Sequence, residues 1–195
     1  QPGDVVIALA SSGLHSNGYS LVRRVIAAAG WSLDLHVEDF GHSLGEELLT
    51  PTRVYAADLL ALIRTPGVDI HALSHVTGGG LAANLARVLP QGSFARVDRA
   101  TWTPPAVFQT IGALGRVPQL DLERTLNMGV GFVAVLPAVH ADTAIEVCRA
   151  RGIHAWHLGE VVEEADATVD TAYEVIRGAK GVDGGAVQVV GRHAG

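Results

Sequence analysis

An apolar run from Val5 to Ala10 stops at a polar loop, Ser11 to Gly18. The loop in turn stops where Tyr19, Leu21, Val22, Val25, Ile26 and Ala29 start to recur on one helical face. This strand, loop and helix constrain the fold more than any other stretch. In open α/β sheets, strand ends and helix N-termini converge at such junctions, and ligands bind there. The loop reads Ser-Ser-Gly-Leu-His-Ser-Asn-Gly, so it packs three hydroxyls, an imidazole, an amide and two glycines into a few residues. Surface turns also use Ser, Asn and Gly, and a plain turn accounts for each residue singly. It accounts less well for His15 and Asn17 together beside two glycines.

A chain of 195 residues has room for one domain with a full core, or for two small ones. It is 48% apolar and only 17% charged, as in a globular protein whose surface is poor enough in charge to hold an interface. The net charge of −6, with no basic run longer than Arg23-Arg24, argues against nucleic acid or an anionic membrane as partner. A single cysteine, Cys148, rules out an internal disulfide and points to a reducing, cytoplasmic setting. Cys148 falls on the apolar face of a helical stretch, where packing is its expected role. No apolar run approaches the roughly 18 residues of a membrane-spanning helix. Gln1-Pro2-Gly3-Asp4 reads as a turn entering a strand, with neither an initiator Met nor a signal peptide, as expected of a piece cut from a longer chain.

Gly30 is placed to cap the first helix. Trp31 to Val37 reads as a loop or short strand, and Asp39 to Glu47 as polar and irregular. Thr50 and Pro51 predict a helix start, with Val54, Ala57, Leu60, Ala61 and Arg64 running down it to Pro66-Gly67. Ile70 to Val76 predicts a second strand, which runs into Thr77-Gly78-Gly79-Gly80 and a helix with Leu81, Leu85, Val88 and Leu89 inward. This repeats the first unit: a strand, a glycine-rich turn, a helix, and a histidine at the junction. Phe94 to Val97 predicts a strand, Thr101 to Pro105 a turn around Trp102, and Ala106 to Leu114 a helix. Phe132 to Leu136 lacks alternation and predicts a central strand. A helix over Pro137 to Arg151 and a strand over His154 to Val162 follow, with a turn at Glu163 to Asp166. Thr171 to Ile176 reads equally as helix or strand, Gly178 to Gly185 as a glycine-rich connection, and Val187 to Val190 as a last strand. Strands and helices mix without strict alternation, so the expected fold is a single α/β (α+β) domain over residues 1–195, a mixed β-sheet layered with helices.

The chain has no Cys-x-x-Cys, no His-Glu-x-x-His and no aspartate pair at metal spacing, so no metal ligand is assigned. Gly78-Gly79-Gly80 is followed by Leu81-Ala82, which excludes a phosphate loop of the Walker type. Without one, the isolated chain is not expected to turn over ATP. What remains is the pair of junction loops. Backbone N–H groups at Gly78 to Gly80 are able to hold a phosphate, or the glycines simply permit a turn with positive φ. Among nine histidines, His15 and His75 stand out by position. His36, His42, His71, His140, His154, His157 and His193 belong to no motif and are expected to be structural or solvated.

Four blocks, in order, resemble one family. Ser11-Ser12-Gly13-Leu14-His15-Ser16-Asn17-Gly18-Tyr19-Ser20-Leu21-Val22-Arg23, preceded by Asp4 to Leu9, resembles the start of the C-terminal domain of the aminoimidazole ribonucleotide synthetase family, also called phosphoribosylformylglycinamidine cyclo-ligases. Leu49 to Tyr55 resembles its L-x-P-T-R-I-Y segment, His75 to Leu81 its H-I-T-G-G-G-L, and Thr125 to Gly131 its T-F-N-M-G-V-G. The resemblance covers about Pro2 to Val162. Leu126 stands where the family usually has Phe, and Asp166 to Gly185 looks longer than the family's usual ending. The family's N-terminal half, with its ATP- and metal-binding carboxylates, has no counterpart in this sequence.

The resemblance implies ATP-dependent ring closure of formylglycinamidine ribonucleotide to aminoimidazole ribonucleotide in purine synthesis. It also implies ATP and Mg²⁺ held mainly by an N-terminal domain, and a cytoplasmic homodimer with a cleft between the halves of each subunit. His15, Asn17 and His75 then become the catalytic candidates, since an imidazole suits proton handling. Ser11, Ser12, Gly13, Ser16, Thr77, Gly78, Gly79, Gly80 and Asn127 become the substrate- and phosphate-binding candidates, as hydroxyl, amide and backbone donors. Other members of the wider fold, such as formylglycinamidine synthetase, selenophosphate synthetase, thiamine-phosphate kinase and hydrogenase-maturation proteins, give a second reading. A binding or dimerisation module without catalysis gives a third.

Overall fold

Strand β1 (Asp4–Ala10) forms from the first apolar run, and Val6 to Leu9 are fully buried in the computed structural model, which describes residues 1–179 and 184–194. The polar loop follows. Helix α1 (Tyr19–Ala29) turns Val22, Val25 and Ile26 inward, and Gly30 caps it in the left-handed region. Burying each of those side chains is worth about 1.5–3 kcal/mol, which anchors the helix that ends the loop.

Trp31 to Val37 is a loop ending in a short strand, as expected, whereas residues 39–55 depart from the sequence expectation. His36–Val37 (β2) and His42–Ser43 (β3) pair as a small hairpin. Helix α2 (Leu44–Leu48) starts on a capping box, where the Ser43 hydroxyl accepts from the Glu46 amide and the Glu46 carboxylate accepts from the Ser43 amide. The stretch that reads as irregular is therefore ordered. The helix start expected at Thr50-Pro51 is also corrected, because α3 spans Ala56–Ile63 and residues 50–55 are not helical. The cause is tertiary. The Ser12 hydroxyl donates to the Pro51 carbonyl at 2.6 Å, Ser16 and Thr52 hydroxyls meet at 3.1 Å, and the Tyr55 phenol donates to the Ala10 carbonyl at 2.7 Å. These contacts lay the segment along the first loop instead of coiling it. The inward side of α3 differs as well: Leu62 is buried, while Val54 and Leu60 are exposed.

β4 (Ala72–His75), α4 (Gly80–Ala86), β5 (Ser93–Asp98) and α5 (Ala106–Gly115) follow where the sequence places them. α6 (Gln119–Thr125) is an addition, a short polar helix with only Leu122 buried. β6 (Val130–Pro137), α7 (Ala141–Ala150) and β7 (Ala155–Glu163) match expectation, and Ala141, Ala144, Ile145 and Cys148 form the inward face of α7. Burial pushes the Cys148 thiol up to about 11, consistent with a packing role. The stretch Thr171 to Ile176 is neither helix nor strand for most of its length: residues 171–174 form a turn that enters β8 (Val175–Arg177), and β9 (Ala186–Val190) completes the sheet. The glycine-rich connection between them lies partly outside the described residues.

The strands form one mixed sheet in the order β4-β6-β1-β7-β5-β9-β8, with β5 and β9 parallel and the other neighbours antiparallel. Alternation splits β1 between two cores. Val6 and Ala8 pack toward α4, while Ile7 and Leu9 pack toward α3 and α7. A third cluster gathers α1, α5 and α6 around Phe108, Ile111 and Leu126. One consequence of the register positions the site. Leu9 of β1 and His75 of β4 both pair with Phe132, from opposite sides of β6. The two strands therefore run the same way and end at the same level, and their loops emerge side by side.

Candidate active site

The first loop is held from within. Asn127, 1% exposed, donates its amide to the Gly13 carbonyl at 2.9 Å and the Leu14 carbonyl at 3.2 Å, and its oxygen accepts from the Gly129 amide at 2.8 Å and the Ser11 hydroxyl at 3.1 Å. Its side chain is thus spent on tying two loops together. The loop also needs its glycines. Gly18 lies at φ +75°, and a Cβ there would sit 2.3 Å from Leu126.

His15 is 2% exposed and lies at φ +55°, an uncommon conformation for a residue with a Cβ. Its Nε2 accepts from the Ser12 amide at 3.1 Å. Burial, aided by the neighbouring His75 and the Arg53 guanidinium, lowers its pKa to about 4. The ring is therefore neutral at pH 7. Because Nε2 accepts, the proton sits on Nδ1. That Nδ1–H is buried and has no partner among the described residues, and the same holds for Nε–H of Arg53. A buried donor left unpaired costs about 1–3 kcal/mol, and two in one cluster call for an acceptor rich in oxygen.

Around His15 the cluster is aromatic. Its ring centroid lies 6.1 Å from Tyr55 and 6.2 Å from His75. His75 is exposed and stacks on Phe132 at 5.5 Å with 13° between the ring planes. Burial raises the pKa of Tyr55, whose proton stays on to bond the Ala10 carbonyl. Gly131 makes the assembly possible, since a Cβ there would lie 1.9 Å from the Tyr55 hydroxyl and 2.8 Å from His15 Cε1.

The second loop is organised by Asn84, which donates to the carbonyls of Thr77 at 3.2 Å and Gly80 at 2.7 Å, while its oxygen accepts from the Thr77 hydroxyl at 3.3 Å. The three glycines differ. A Cβ on Gly80 would stand 1.6 Å from the Glu123 carbonyl oxygen, so this glycine serves the packing of α4 on α6. Gly79 lies at φ +99°. Gly78 is exposed, has no positive φ, and a Cβ there meets nothing within 4 Å. Gly78 is thus the glycine of the three with open space at its Cβ position, while Gly79, half-buried, lines a separate cavity.

The fold thus brings His15 and His75 together, with Ser11, Ser12, Gly13 and Ser16 on the same loop. Ser12 and Ser16 spend their hydroxyls on Pro51 and Thr52. Asn17 is half-buried at the far end of the loop, and among the described residues no hydrogen bond joins it to either imidazole. Arg53 and Tyr55 join the cluster although sequence reasoning gave them no role. They sit in the Leu49–Tyr55 block, whose lack of apolar period was the available signal. The donor set does not suit a magnesium–nucleotide complex, which wants several oxygen ligands. One carboxylate, Glu47, nears the loop at Gly13, and it is paired with His42 at 2.9 Å. Among the described residues, no group of three or more His, Cys, Asp or Glu is gathered as a metal site. No helix among them is long and apolar enough to cross a membrane.

A family model described as AIR synthase related protein, C-terminal domain, matches residues 1–171. A putative phosphoribosylformylglycinamidine cyclo-ligase of Streptomyces fradiae is 56% identical over 166 residues, which cover 85% of this chain and 90% of that protein. A phosphoribosylformylglycinamidine cyclo-ligase of Sorangium cellulosum is 50% identical over 84% of this chain and 47% of its own length. That of Synechococcus sp. (strain CC9605) is 45% identical over 83% and 46%. The chain therefore spans nearly all of the first relative and about half of the other two. Two solved structures share the fold at low identity. The thiamine-monophosphate kinase of Stenotrophomonas maltophilia K279a has a TM-score of 0.57 at 18% identity over all of this chain and 52% of its own. E. coli HypE, a hydrogenase maturation protein, has 0.52 at 21% over 84% and 44%.

Proposed function

The chain belongs to the AIR synthase related protein C-terminal domain family, and from that premise we propose that it is the C-terminal half of a phosphoribosylformylglycinamidine cyclo-ligase. The reaction is closure of the imidazole ring of formylglycinamidine ribonucleotide, with aminoimidazole ribonucleotide, ADP and phosphate as products, in purine biosynthesis. A substrate nitrogen attacks the formyl carbon, whose oxygen carries a phosphoryl group. The C–O bond breaks, and that oxygen leaves as phosphate.

One observation carries this reading: two buried donors without partners, His15 Nδ1–H and Arg53 Nε–H, in one cluster at the paired strand ends. Both suit the oxygens of a phosphorylated intermediate. A neutral imidazole donates without giving up its proton, and a guanidinium offsets developing negative charge. His75, exposed across the cluster, is the group placed to take the proton that the attacking nitrogen loses. Gly78 borders the same end and offers a backbone donor to a substrate phosphate, while Thr77, whose hydroxyl is spent on Asn84, shapes the turn. Asn127 acts through the loop it ties, and Asn17 flanks it. ATP and Mg²⁺ belong to an N-terminal domain, in line with the poor fit of this donor set to a cation. A homodimer in the cytoplasm is the matching assembly.

Mixing the chain with the N-terminal half of a full-length cyclo-ligase, then assaying ring closure, tests the proposal. Restored turnover that Arg53→Ala abolishes supports it. A tight complex with no turnover supports a binding module instead.

A further inference from the structure

A cavity of about 560 Å³ opens between α4, α6 and the chain that follows β7; Gly79 of the second loop borders it, and His15, Arg53, Tyr55 and His75 are not among its lining residues. Its volume suits a drug-sized ligand. Leu81, Ala82, Met128, Ile176 and Val189 give it an apolar floor, and Trp102 and Tyr173 give it two aromatic walls. The outer wall is built from residues beyond 171, where the family match ends. The family match therefore covers the part of the lining on α4, α6 and the turn around Trp102, and stops short of the part beyond residue 171.

The wall is fixed by buried polar bonds. Gln188, fully buried, accepts from the Asp170 amide at 3.1 Å and donates to the carbonyls of Asp170 at 2.8 Å and Tyr173 at 2.9 Å. Arg99, 6% exposed, grips Glu123 through two bonds of 2.7 Å and donates to the Val189 carbonyl at 2.6 Å. The Thr103 hydroxyl holds the Ala194 carbonyl at 2.8 Å, which pins the tail that carries Arg192 and His193 past the opening. A preformed pocket with aromatic walls avoids most of the ordering cost of binding.

Charge selects among apolar ligands. The lining holds Arg99, Arg124 and Arg192 against Glu123 and Glu174, in a chain of net charge −6. Arg99 pairs with Glu123 and Arg124 with Glu174, whereas Arg192 has no ion pair among the described residues. The cavity is thus locally positive on a negative chain. The Arg99 guanidinium lies 5.5 Å from the centroid of the Tyr173 ring, and that ring lines the space. We propose that this cavity binds a flat aromatic monoanion, with its rings between Trp102 and Tyr173 and its anionic group at Arg192.

The probe is 8-anilinonaphthalene-1-sulfonate, an aromatic monoanion, titrated into the full chain by fluorescence alongside uncharged N-phenyl-1-naphthylamine. Saturable binding of the sulfonate is expected. Arg192→Glu should raise its Kd at least about threefold and leave the uncharged dye within about twofold, as reversal of an exposed charge allows. Tyr173→Ala keeps the carbonyl that Gln188 holds but removes the stacking ring, so it should weaken both dyes. Arg23→Glu, on α1, should change neither. Sulfonate binding that does not saturate, that ignores Arg192→Glu or Tyr173→Ala, or that weakens equally in Arg23→Glu overturns the proposal.

Discussion

His15 lies in the loop after β1 and His75 ends β4, each ahead of a glycine and a helix, yet one imidazole is 2% exposed and the other residue is exposed. The first ring is locked at both ends: Nε2 on the Ser12 amide, and the backbone at φ +55° in a loop stitched by Asn127. The second has no side-chain hydrogen bond among the described residues; it stacks on Phe132 and lies beside the rings of Tyr55 and His15. The glycines divide in the same way, because Gly80 is required by the approach of α6 while a Cβ on Gly78 would meet nothing within 4 Å. The contrast teaches that one sequence pattern serves two tasks. A buried loop fixes the protonation state of its histidine, and an exposed one presents its histidine to solvent.

The strongest way to break this contrast is through the rate. In the reconstituted enzyme His15→Ala is expected to cut turnover by about 10²–10³, the worth of one donor to a developing oxyanion. Near-normal turnover, measured by steady-state ring closure, would reduce His15 to a packing residue. Next in size, Gly80→Ala should cost about 3 kcal/mol or more in chemical denaturation, since its Cβ would collide with the Glu123 carbonyl at a strained φ.

The pH dependence of stability sharpens the same point. His15 has its pKa lowered from 6.5 to about 4 on folding. The unfolded chain therefore binds the proton first as pH falls. The contribution of the neutral ring is fully present above pH 6.5 and is lost progressively down to about pH 4. The full loss is about 3 kcal/mol. Replacing His15 by Asn, which tolerates the left-handed conformation, should flatten that part of the stability profile. The smallest effect belongs to Gly78→Ala. Stability should stay within about 0.5 kcal/mol, while KM for the nucleotide rises if this turn meets its phosphate. An unchanged KM would remove the second loop from phosphate binding.

Much of this was legible before the structure. The apolar runs of β1 and β6 and the amphipathic faces of α1 and α7 were strong local signals, because burial on one side demands them. α6 was not, since Gln119–Thr125 buries a single leucine and shows no period. The helix start that Thr50-Pro51 predicts does not form, although its local cues are sound, because three hydrogen bonds with the first loop and β1 hold the segment out of a helix. In the site, His15 and His75 were visible from their place in the pattern. Arg53 and Tyr55 were not, because they reach the cluster through that non-helical segment. Asn127 was legible as a polar residue in a glycine-bearing block. Its work of joining two loops more than a hundred residues apart in the chain was not.

The state of His15 tests the account most directly. Long-range ¹H–¹⁵N NMR of the imidazoles, followed through an acid titration of the folded chain, reads both tautomer and pKa. The account predicts a neutral His15 ring at pH 7 with its proton on Nδ1 and an unprotonated Nε2, taking up a second proton only near pH 4. A ring protonated on Nε2, or one that titrates at or above the ordinary 6.5, would contradict it.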